Sequence, residues 1–332
     1  MAKCLVTGGA GFIGAHLTRE LLDRGDTVVV LDDLSGGFED NVDSRAQLVQ
    51  GSITDHALVD DLFAEHGFDH VYHLAAYAAE GLSHFIKRFN YTNNVIGSVN
   101  LINASVNHEV KCFVFTSSIA VYGAGQLPMT EAMRPEPEDS YGIAKYAVEA
   151  ELAASHRMFG LPYVIFRPHN VYGELQNIGD RYRNVLGIFI NQIMQGQPLS
   201  IFGDGEQTRA FSYVGDVIPA IASSPTVEAA HQEVFNVGAD EAYTVNRLAD
   251  TIRASMNVAD HPIRKFPARQ EVLHAFSDHS KLYEVFGRGA TTDLEAGVER
   301  MVKWAREHGP RQSGRFENIE IERNLPSAWR DG

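Results

Sequence analysis

A glycine-rich stretch near the start of the chain constrains the fold more than any other feature of the sequence. Thr7-Gly-Gly-Ala-Gly-Phe-Ile-Gly14 follows an apolar run typical of a strand and precedes a pattern typical of a helix. Gly8, Gly11 and Gly14 allow a tight turn, a close approach to a pyrophosphate and close packing of the helix on the strand. The N–H groups at the start of that helix favour a phosphate. The stretch therefore predicts a strand–turn–helix unit that binds a dinucleotide.

An acidic residue follows this turn at the expected distance. A second apolar run ends in Leu31-Asp32-Asp33, with Asp32 18 residues after Gly14. A carboxylate at this position accepts hydrogen bonds from the adenosine ribose hydroxyls and repels a 2′-phosphate. The sequence thus predicts NAD rather than NADP as the cofactor.

The first half of the chain alternates short apolar runs with longer amphipathic segments, which predicts a parallel sheet covered by helices on both faces. The predicted strands are Lys3–Thr7, Thr27–Leu31, Gln47–Gln50, His70–Leu74, Cys112–Thr116 and Tyr163–Phe166, with a later strand at Val234–Val237. The predicted helices are Phe12–Arg24, Ala57–Glu65, Asn94–Asn107, Tyr141–Met158, Val185–Gln195, Asn246–Met256 and Leu294–His308. The tail from Gly309 is predicted to be polar and irregular. We therefore expect an α/β protein with a Rossmann-type, doubly wound parallel sheet over residues 1–170, segments around 208–240 returning to it, and a smaller α/β C-terminal substrate lobe over 171–332.

Charge and cysteine content narrow the possible partners. The 332 residues include 28 Lys and Arg against 43 Asp and Glu, a formal net charge of −15. This charge argues against nucleic acid and anionic membranes as partners. The only two cysteines, Cys4 and Cys112, lie in apolar runs and are expected to be buried thiols, and the 14 histidines lack metal-ligand spacing. We expect no metal site, no signal peptide, no membrane span and a cytoplasmic location.

Three side chains predict the chemistry. Thr116-Ser-Ser ends a predicted strand, and Tyr141 and Lys145 lie four residues apart on one face of a predicted helix. A lysine ammonium beside a phenol lowers the phenol pKa from about 10 towards neutrality, so that the phenolate can take a proton from an alcohol. Ser118 would complete the hydrogen bonds to the reacting oxygen. The pattern predicts a Ser–Tyr–Lys catalytic site.

Several motifs together resemble one family. TGGAGFIG, LDDLSGG, HLAAYA, TSSIAVYG, YGIAK and FRPHNVYG are similar to the motifs of the extended short-chain dehydrogenase/reductases, in particular the nucleotide-sugar epimerases of the UDP-glucose 4-epimerase type. The resemblance extends from residue 1 to about residue 308. It implies a tightly held NAD, a C-terminal lobe that binds a nucleoside-diphosphate sugar, and a homodimer packed through two helices of each subunit.

The resemblance also implies a role for individual residues. Ser118, Tyr141 and Lys145 match the catalytic set. Cofactor contacts are implied at Gly8, Gly11, Phe12, Ile13, Gly14, Asp32, Asp33, Ser35, Gly36, Ser52, Ile53, Leu74, Ala75 and Ala76, together with Tyr141 and Lys145. Substrate contacts are implied at Ser118, Asn170, Asn184, Arg209 and Arg269, since two guanidinium groups suit a diphosphate. Ser52 differs from the Asp that the family usually has there.

The reaction is less constrained than the family. Relatives that eliminate water or carbon dioxide carry an acid where this chain has Ala120, which favours C4 epimerisation through a transient 4-keto sugar. A 3,5-epimerase, a dehydratase, a decarboxylase, a 4-ketosugar reductase and a non-catalytic NAD-binding module remain alternatives. Neither the sugar nor the nucleobase (UDP, dTDP or GDP) follows from the sequence, and either Ala275 or Phe276 would gate sugar size. Six further side chains could reach the substrate: Glu80, Ser83, His84, His169, Glu174 and Arg183.

Overall fold

A computed structural model describes residues 1–125, 127–180, 182–268, 272–312, 316–326 and 329. Its strands are β1 Lys3–Thr7, β2 Thr27–Asp32, β3 Gln47–Gln50, β4 His70–His73, β5 Cys112–Thr116, β6 Tyr163–Pro168, β7 Val171–Tyr172, β8 Leu199–Phe202, β9 Thr208–Ala210, β10 Ser212–Tyr213, β11 Glu233–Val237, β12 Ala242–Thr244, β13 Ile263–Phe266 and β14 His274–Ala275. Its helices are α1 Phe12–Asp23, α2 His56–His66, α3 Glu80–Ser83, α4 Lys87–Tyr91, α5 Gly97–Asn107, α6 Ser140–Phe159, α7 Val185–Met194, α8 Val214–Ser223, α9 Val245–Ser255, α10 Ser280–Phe286 and α11 Leu294–His308.

Seven strands form one sheet in the order β11-β6-β5-β4-β1-β2-β3, and every neighbouring pair is parallel. The strands are rich in β-branched and aromatic residues, and β5 is buried along its whole length, as expected when both faces of a sheet are covered. This arrangement confirms the predicted Rossmann-type, doubly wound α/β class. Three predicted strands, Lys3–Thr7, Gln47–Gln50 and Cys112–Thr116, have the predicted bounds.

Alternate residues of the strands supply the cores on the two faces of the sheet. Leu5 and Val29 belong to the core with α2, α5 and α6, whereas Cys4 and Val6 belong to the core with α1 and α8. The core on the side of α1 and α8 also includes side chains of α9 and α11. The sheet and the C-terminal helices therefore share one apolar core. Both cysteines are free and buried, as predicted.

The chain after β6 divides between the main sheet and smaller ones. β11 pairs with β6 at the edge of the main sheet. The pairs β10–β7 and β13–β8 form two-stranded sheets, and β9 lies between β12 and β14 in a three-stranded sheet. Segments around residues 208–240 were predicted to return to the main sheet. Of the strands in this range, β11 joins the main sheet, whereas β9 pairs with β12 and β14 in a smaller sheet.

One predicted helix begins earlier than its apolar pattern indicated. The predicted helix Asn94–Asn107 is the second part of a longer helical run in which α4 and α5 are joined by a single π-helical stretch, Thr92–Ile96. The polar sequence of α4 hid this extension. The run matters for the site because α4 packs against α6, which carries Tyr141.

Candidate active site

The glycine turn leaves no room for side chains. A Cβ on Gly14 would lie 2.2 Å from the carbonyl oxygen of Gly8, and a Cβ on Gly8 would lie 2.8 Å from the backbone nitrogen of Ala75. Gly8 also has a φ of +75°, in the left-handed region that favours glycine. No side chain caps α1, whose first residues line a cleft. Its N-terminal N–H groups therefore face the cleft, and the turn fits the pyrophosphate of a dinucleotide.

Asp32 connects this turn to the next loop. Its carboxylate accepts hydrogen bonds from the backbone nitrogens of Ala10 (3.0 Å) and Leu34 (2.8 Å). Burial raises the pKa of Asp32, and these hydrogen bonds oppose that rise. The backbone nitrogen of Gly11 is a third donor to this carboxylate. A carboxylate has about four acceptor positions, so capacity remains for a ribose hydroxyl. Asp32 and the glycine turn together suit an adenosine ribose and its diphosphate.

A single cleft of about 1760 Å³ runs from the glycine turn past Tyr141 to Arg209. This exceeds the roughly 300–1,000 Å³ typical of a single-ligand pocket and is consistent with two ligands placed end to end. The residues predicted from the sequence that line it are Gly8, Gly11, Phe12, Ile13, Gly14, Asp32, Asp33, Ser35, Gly36, Ile53, Leu74, Ala75, Ala76, Ser118, Tyr141, Asn170, Asn184 and Arg209.

Three predicted site residues are not among those lining the cleft. The Ser52 hydroxyl is hydrogen-bonded to Oγ1 of Thr54, 2.8 Å away, which turns it towards its own loop. Lys145 is buried behind Tyr141. Arg269 lies outside the described residues. Of the two candidates for the sugar gate, Ala275 lines the cleft and Phe276 is not among its lining residues.

Ser118 and Tyr141 line the cleft, and Lys145 lies behind Tyr141. The Ser118 Oγ accepts a hydrogen bond from the backbone nitrogen of Ala120 (3.1 Å), which leaves its hydroxyl proton free to donate to the Tyr141 oxygen. The Lys145 Nζ lies 5.7 Å from the centre of the Tyr141 ring and donates to the carbonyl oxygen of Thr116 at 2.7 Å. Ser118 lies two residues after the end of β5, and α6 supplies the other two residues.

The direction of one predicted pKa shift is wrong. Burial raises the pKa of Tyr141, the Glu80 carboxylate adds to the rise, and the Ser118 hydrogen bond opposes it. Burial also lowers the pKa of Lys145 to about 7, against the opposing field of Glu149. The sequence-based argument assumed a full ammonium charge beside an ordinary phenol. Both groups are in fact withdrawn from water, which disfavours their charged forms.

A buried ion pair supports this constellation from behind. Arg167 on β6 contacts Glu149 on α6 through Nε–Oε1 (2.9 Å) and Nη2–Oε2 (2.5 Å), and both side chains are about 95% buried. Ser117 also donates to the Glu149 carboxylate. The pair links β5, β6 and α6 at the level of the reactive side chains. Glu149 lies four residues after Lys145, a spacing that could have indicated it, whereas nothing in the sequence pairs it with Arg167.

Of the six additional candidates, four line the cleft: Glu80, His84, His169 and Arg183. The Ser83 hydroxyl accepts a hydrogen bond from the backbone nitrogen of Tyr141 (3.1 Å), so it supports α6. The Glu174 carboxylate accepts from the Tyr213 hydroxyl at 2.9 Å, outside the cleft lining. Arg183 forms an ion pair with Asp180 and lies over the Tyr77 ring.

The far end of the cleft is built around Arg209. Its guanidinium donates to the carbonyl oxygens of Thr208, Val272 and Leu273 at 2.6–3.0 Å, which holds it in place. Asn184 lies at the start of α7 in the left-handed region, with a φ of +61°. The rings of Phe202 and Phe266, which sequence reasoning missed, are stacked 5.3 Å apart and line the same end. A guanidinium beside aromatic rings suits a phosphate next to a planar base.

Among the described residues, no group of three or more His, Cys, Asp or Glu side chains could hold a metal ion. Within the same part of the chain, none of the helices is both long enough and apolar enough to cross a membrane.

Similarity to known proteins extends over most of the chain. Residues 4–238 match the sequence model described as the NAD dependent epimerase/dehydratase family. A putative UDP-glucose 4-epimerase from Methanocaldococcus jannaschii is 34% identical over 302 residues, which cover 90% of this chain and 97% of that protein. A UDP-N-acetyl-alpha-D-glucosaminuronate decarboxylase from Bacillus cytotoxicus is 30% identical over 320 residues, covering 92% and 98%. The crystal structure of UDP-glucose 4-epimerase from Thermotoga maritima with UDP-glucose is 34% identical, with a TM-score of 0.88 and coverage of 92% and 99%.

Proposed function

This chain belongs to the NAD-dependent epimerase/dehydratase family and is an NAD-dependent enzyme, and on that premise we propose that it epimerises a nucleoside-diphosphate sugar at C4. The relatives described above act on UDP-sugars but include both epimerases and a decarboxylase. Conversion of a nucleoside-diphosphate sugar is therefore the broader expectation, and C4 epimerisation is its specific form.

One observation carries the choice of reaction. The cleft contains the Ser118–Tyr141–Lys145 constellation, while Ala120 lines it at the position where dehydratases and decarboxylases of this kind are expected to carry an acid. Epimerisation needs one proton acceptor at the sugar hydroxyl and space for the ring to turn. Elimination or decarboxylation needs a further group beside C5.

In this proposal the protein residues handle the proton and the orientation of the sugar. Tyr141 takes the proton of the 4-hydroxyl group, and Ser118 donates a hydrogen bond to the same oxygen. Lys145, held by the Thr116 carbonyl, stabilises the phenolate when it carries its proton. The glycine turn and Asp32 would hold NAD, which would supply reversible oxidation at C4. Arg209 holds the diphosphate while the 4-keto sugar turns, and Tyr141 then returns the proton to the opposite epimer.

The ligands are assigned to the two ends by their chemistry. The glycine turn and Asp32 would hold NAD, with Tyr141 and Lys145 next to its reactive ring. Asn170, Asn184 and Arg209 would hold the nucleoside diphosphate, whose base would stack on Phe202 or Phe266.

A panel of nucleotide sugars tests the proposal. Purified protein is incubated with UDP-, dTDP- and GDP-hexoses without added cofactor, and the products are followed by proton NMR. We expect a new anomeric signal of the C4 epimer from one of these sugars and NAD that remains with the protein through dialysis. A reaction that consumes added NADH would instead indicate a ketosugar reductase, and release of carbon dioxide from a hexuronate would indicate a decarboxylase.

We also propose a homodimer packed through α5 and α6, which lie side by side. Ile143 and Tyr146 on α6 and Ile96 just before α5 are large apolar side chains that are 38–52% exposed. Burial of such a patch against a second copy would remove it from water. Light scattering should give twice the mass of the chain, and Ile143→Glu should give a monomer.

A further inference from the structure

The tail beyond α11 returns to the active-site cleft. Of its described residues, 316–326 and Trp329 lie at α3 and α4, where Phe316, Ile319, Leu325 and Trp329 join an apolar cluster. Leu325 and Trp329, each about 8% exposed, form a buried cluster with Ala79, Leu82 and Ile86. The polar, irregular tail expected from the sequence is therefore irregular in backbone but anchored by apolar side chains.

Backbone hydrogen bonds fix the tail to the start of α4. The nitrogens of Glu320 and Ile321 both donate to the carbonyl oxygen of Phe85, at 2.8 and 3.2 Å. In the reverse direction, the Glu320 carboxylate accepts from the nitrogens of Arg88 and Phe89, both at 3.0 Å. Burial alone would raise the pKa of Glu320, but these hydrogen bonds lower it, so the carboxylate is charged at neutral pH. The tail thus occupies a defined position.

Aromatic side chains of the tail pack against residues at the edge of the cleft. Phe316 packs against Tyr77 (5.3 Å between ring centres) and Phe89 (4.8 Å). Trp329 packs against Tyr182 at 5.4 Å, and a Cβ on Gly81 would lie 3.1 Å from the indole. Tyr77, Tyr182 and Trp329 line the cleft, and so do Arg323 and Asn324 from the tail itself.

This wall lies near the reacting hydroxyl. α3 and α4 both pack on α6, and Ser83 at the end of α3 accepts a hydrogen bond from the backbone nitrogen of Tyr141. The side chains that the tail supports therefore border the space next to Tyr141, where the sugar would lie. The diphosphate would lie further along the cleft, at Arg209.

The tail also lies outside the motifs that carry the family resemblance, which end near residue 308. A segment outside these motifs can alter which sugar is accepted without altering the catalytic residues.

We propose that the tail is a specificity wall: it narrows the sugar end of the cleft so that a compact hexose is accepted and an N-acetylated hexosamine is disfavoured. The inference rests on the proposed function. Trp329 contributes the bulk, and Glu320 keeps the segment in position. One small group in a close-fitting pocket changes discrimination between substrates by about 10- to 200-fold.

The test compares Trp329→Ala with a milder variant, Trp329→Phe, which keeps an aromatic ring, and with a control, Asn318→Ala, at an exposed tail position away from the cleft lining. For each protein, kcat/KM and Kd are measured for UDP-glucose and UDP-N-acetylglucosamine, and Kd for UDP alone. We expect Trp329→Ala to shift both ratios at least about tenfold towards UDP-N-acetylglucosamine. The affinity for UDP and the NAD content should be unchanged. Asn318→Ala should stay within about twofold of the original ratios, and Trp329→Phe, which loses only part of the bulk, should shift them less than Trp329→Ala.

If Trp329→Ala leaves the kcat/KM and Kd ratios unchanged, or shifts them towards UDP-glucose, the proposed specificity wall is wrong. If Trp329→Ala does not fold, Arg323→Ala at an exposed position that lines the cleft takes its place, with an expected shift of at least about threefold in the same direction. If the original protein binds the two sugars differently but converts neither, the proposed function fails and the Kd ratios still test the wall. If neither sugar binds more tightly than UDP, the wall is overturned because no sugar pocket exists.

Discussion

The two ends of the cleft are built in different ways. At the proposed cofactor end, eight consecutive residues form the turn, and backbone N–H groups and one carboxylate, Asp32, would contact the dinucleotide. At the substrate end, the lining comes from segments far apart in the chain, among them Asn184, Arg209, Phe266 and the tail around Trp329. Backbone contacts tolerate few substitutions, because a Cβ at Gly14 meets a carbonyl oxygen that cannot move aside. Side-chain contacts from several segments can change one at a time. The family resemblance therefore predicts the cofactor but does not predict which sugar is bound.

The largest expected effect lies between the two ends. Tyr141→Phe removes the hydroxyl that exchanges the proton and keeps the ring. We expect turnover to fall by about 10²- to 10⁴-fold, the range of general acid–base catalysis. Binding of NAD and of the nucleotide sugar should change little, because each ligand is held at its own end of the cleft. Steady-state kinetics and calorimetric titration measure the two effects, and turnover near that of the original enzyme would contradict the role of Tyr141.

Gly14→Ala should weaken NAD binding without weakening nucleotide binding at the substrate end. The added Cβ would lie 2.2 Å from the Gly8 carbonyl oxygen, so the turn must shift. Overpacking of this kind costs about 1–3 kcal/mol, which corresponds to a fall in NAD affinity of about ten- to a hundredfold. The affinity for UDP should not change.

Gly289→Ala is the matched control for this change. No atom lies within 4 Å of a Cβ at that position, so its NAD affinity should equal that of the original protein. Equal NAD affinities for the two variants would show that the turn is less constrained than its geometry indicates.

Arg209→Ala should weaken binding of the nucleotide sugar without weakening NAD binding. A hydrogen bond to a charged group contributes about 1.5–3 kcal/mol, so the KM for the nucleotide sugar should rise by about tenfold or more. Arg209→Lys keeps the charge but loses the planar fork that fits a diphosphate, and it should recover only part of the loss. NAD retained after dialysis should be the same in all three proteins, and a parallel loss of NAD would contradict the separation of the two ends.

The smallest effect is one of stability and concerns Lys145. Burial lowers its pKa in the folded protein to about 7, below the value of about 10.4 in an unfolded chain. Between these two values the unfolded chain binds one more proton than the folded one, so this residue makes stability rise with pH across that window and destabilises the fold below it.

Lys145→Met removes this dependence. The free energy of unfolding of the original protein, minus that of the variant, should increase between pH 7.5 and pH 9 by up to about 1.4 kcal/mol per pH unit. Urea titrations at the two pH values measure it, and other titrating groups cancel in the difference. A constant difference would mean that Lys145 keeps its ordinary pKa when folded.

Local patterns predicted the sheet well. The order of strands and helices indicated the Rossmann-type sheet, and the family, the enzyme class and NAD as cofactor are confirmed. The assignment of Ser118, Tyr141 and Lys145 as the catalytic set stays a prediction, which rests on one strand end and one helix face. The pKa of Tyr141 was predicted in the wrong direction, since the burial of a side chain is not a property of its neighbours in sequence. Arg269 stays a prediction, because it lies outside the described residues.

The sequence by itself determined what residues close together in the chain can do: Gly8, Gly11 and Gly14 allow a tight turn, Asp32 lies at the end of the next buried strand, and Tyr141 and Lys145 share one helix face. Only the tertiary structure decided what residues far apart in the chain do together. It pairs Glu149 with Arg167, holds Arg209 on carbonyl groups more than sixty residues away, and brings Trp329 against Gly81. The physical reason is that strand, turn and helix formation depend on backbone geometry over a few residues. Side-chain packing and the polarity around a buried group depend on the whole fold.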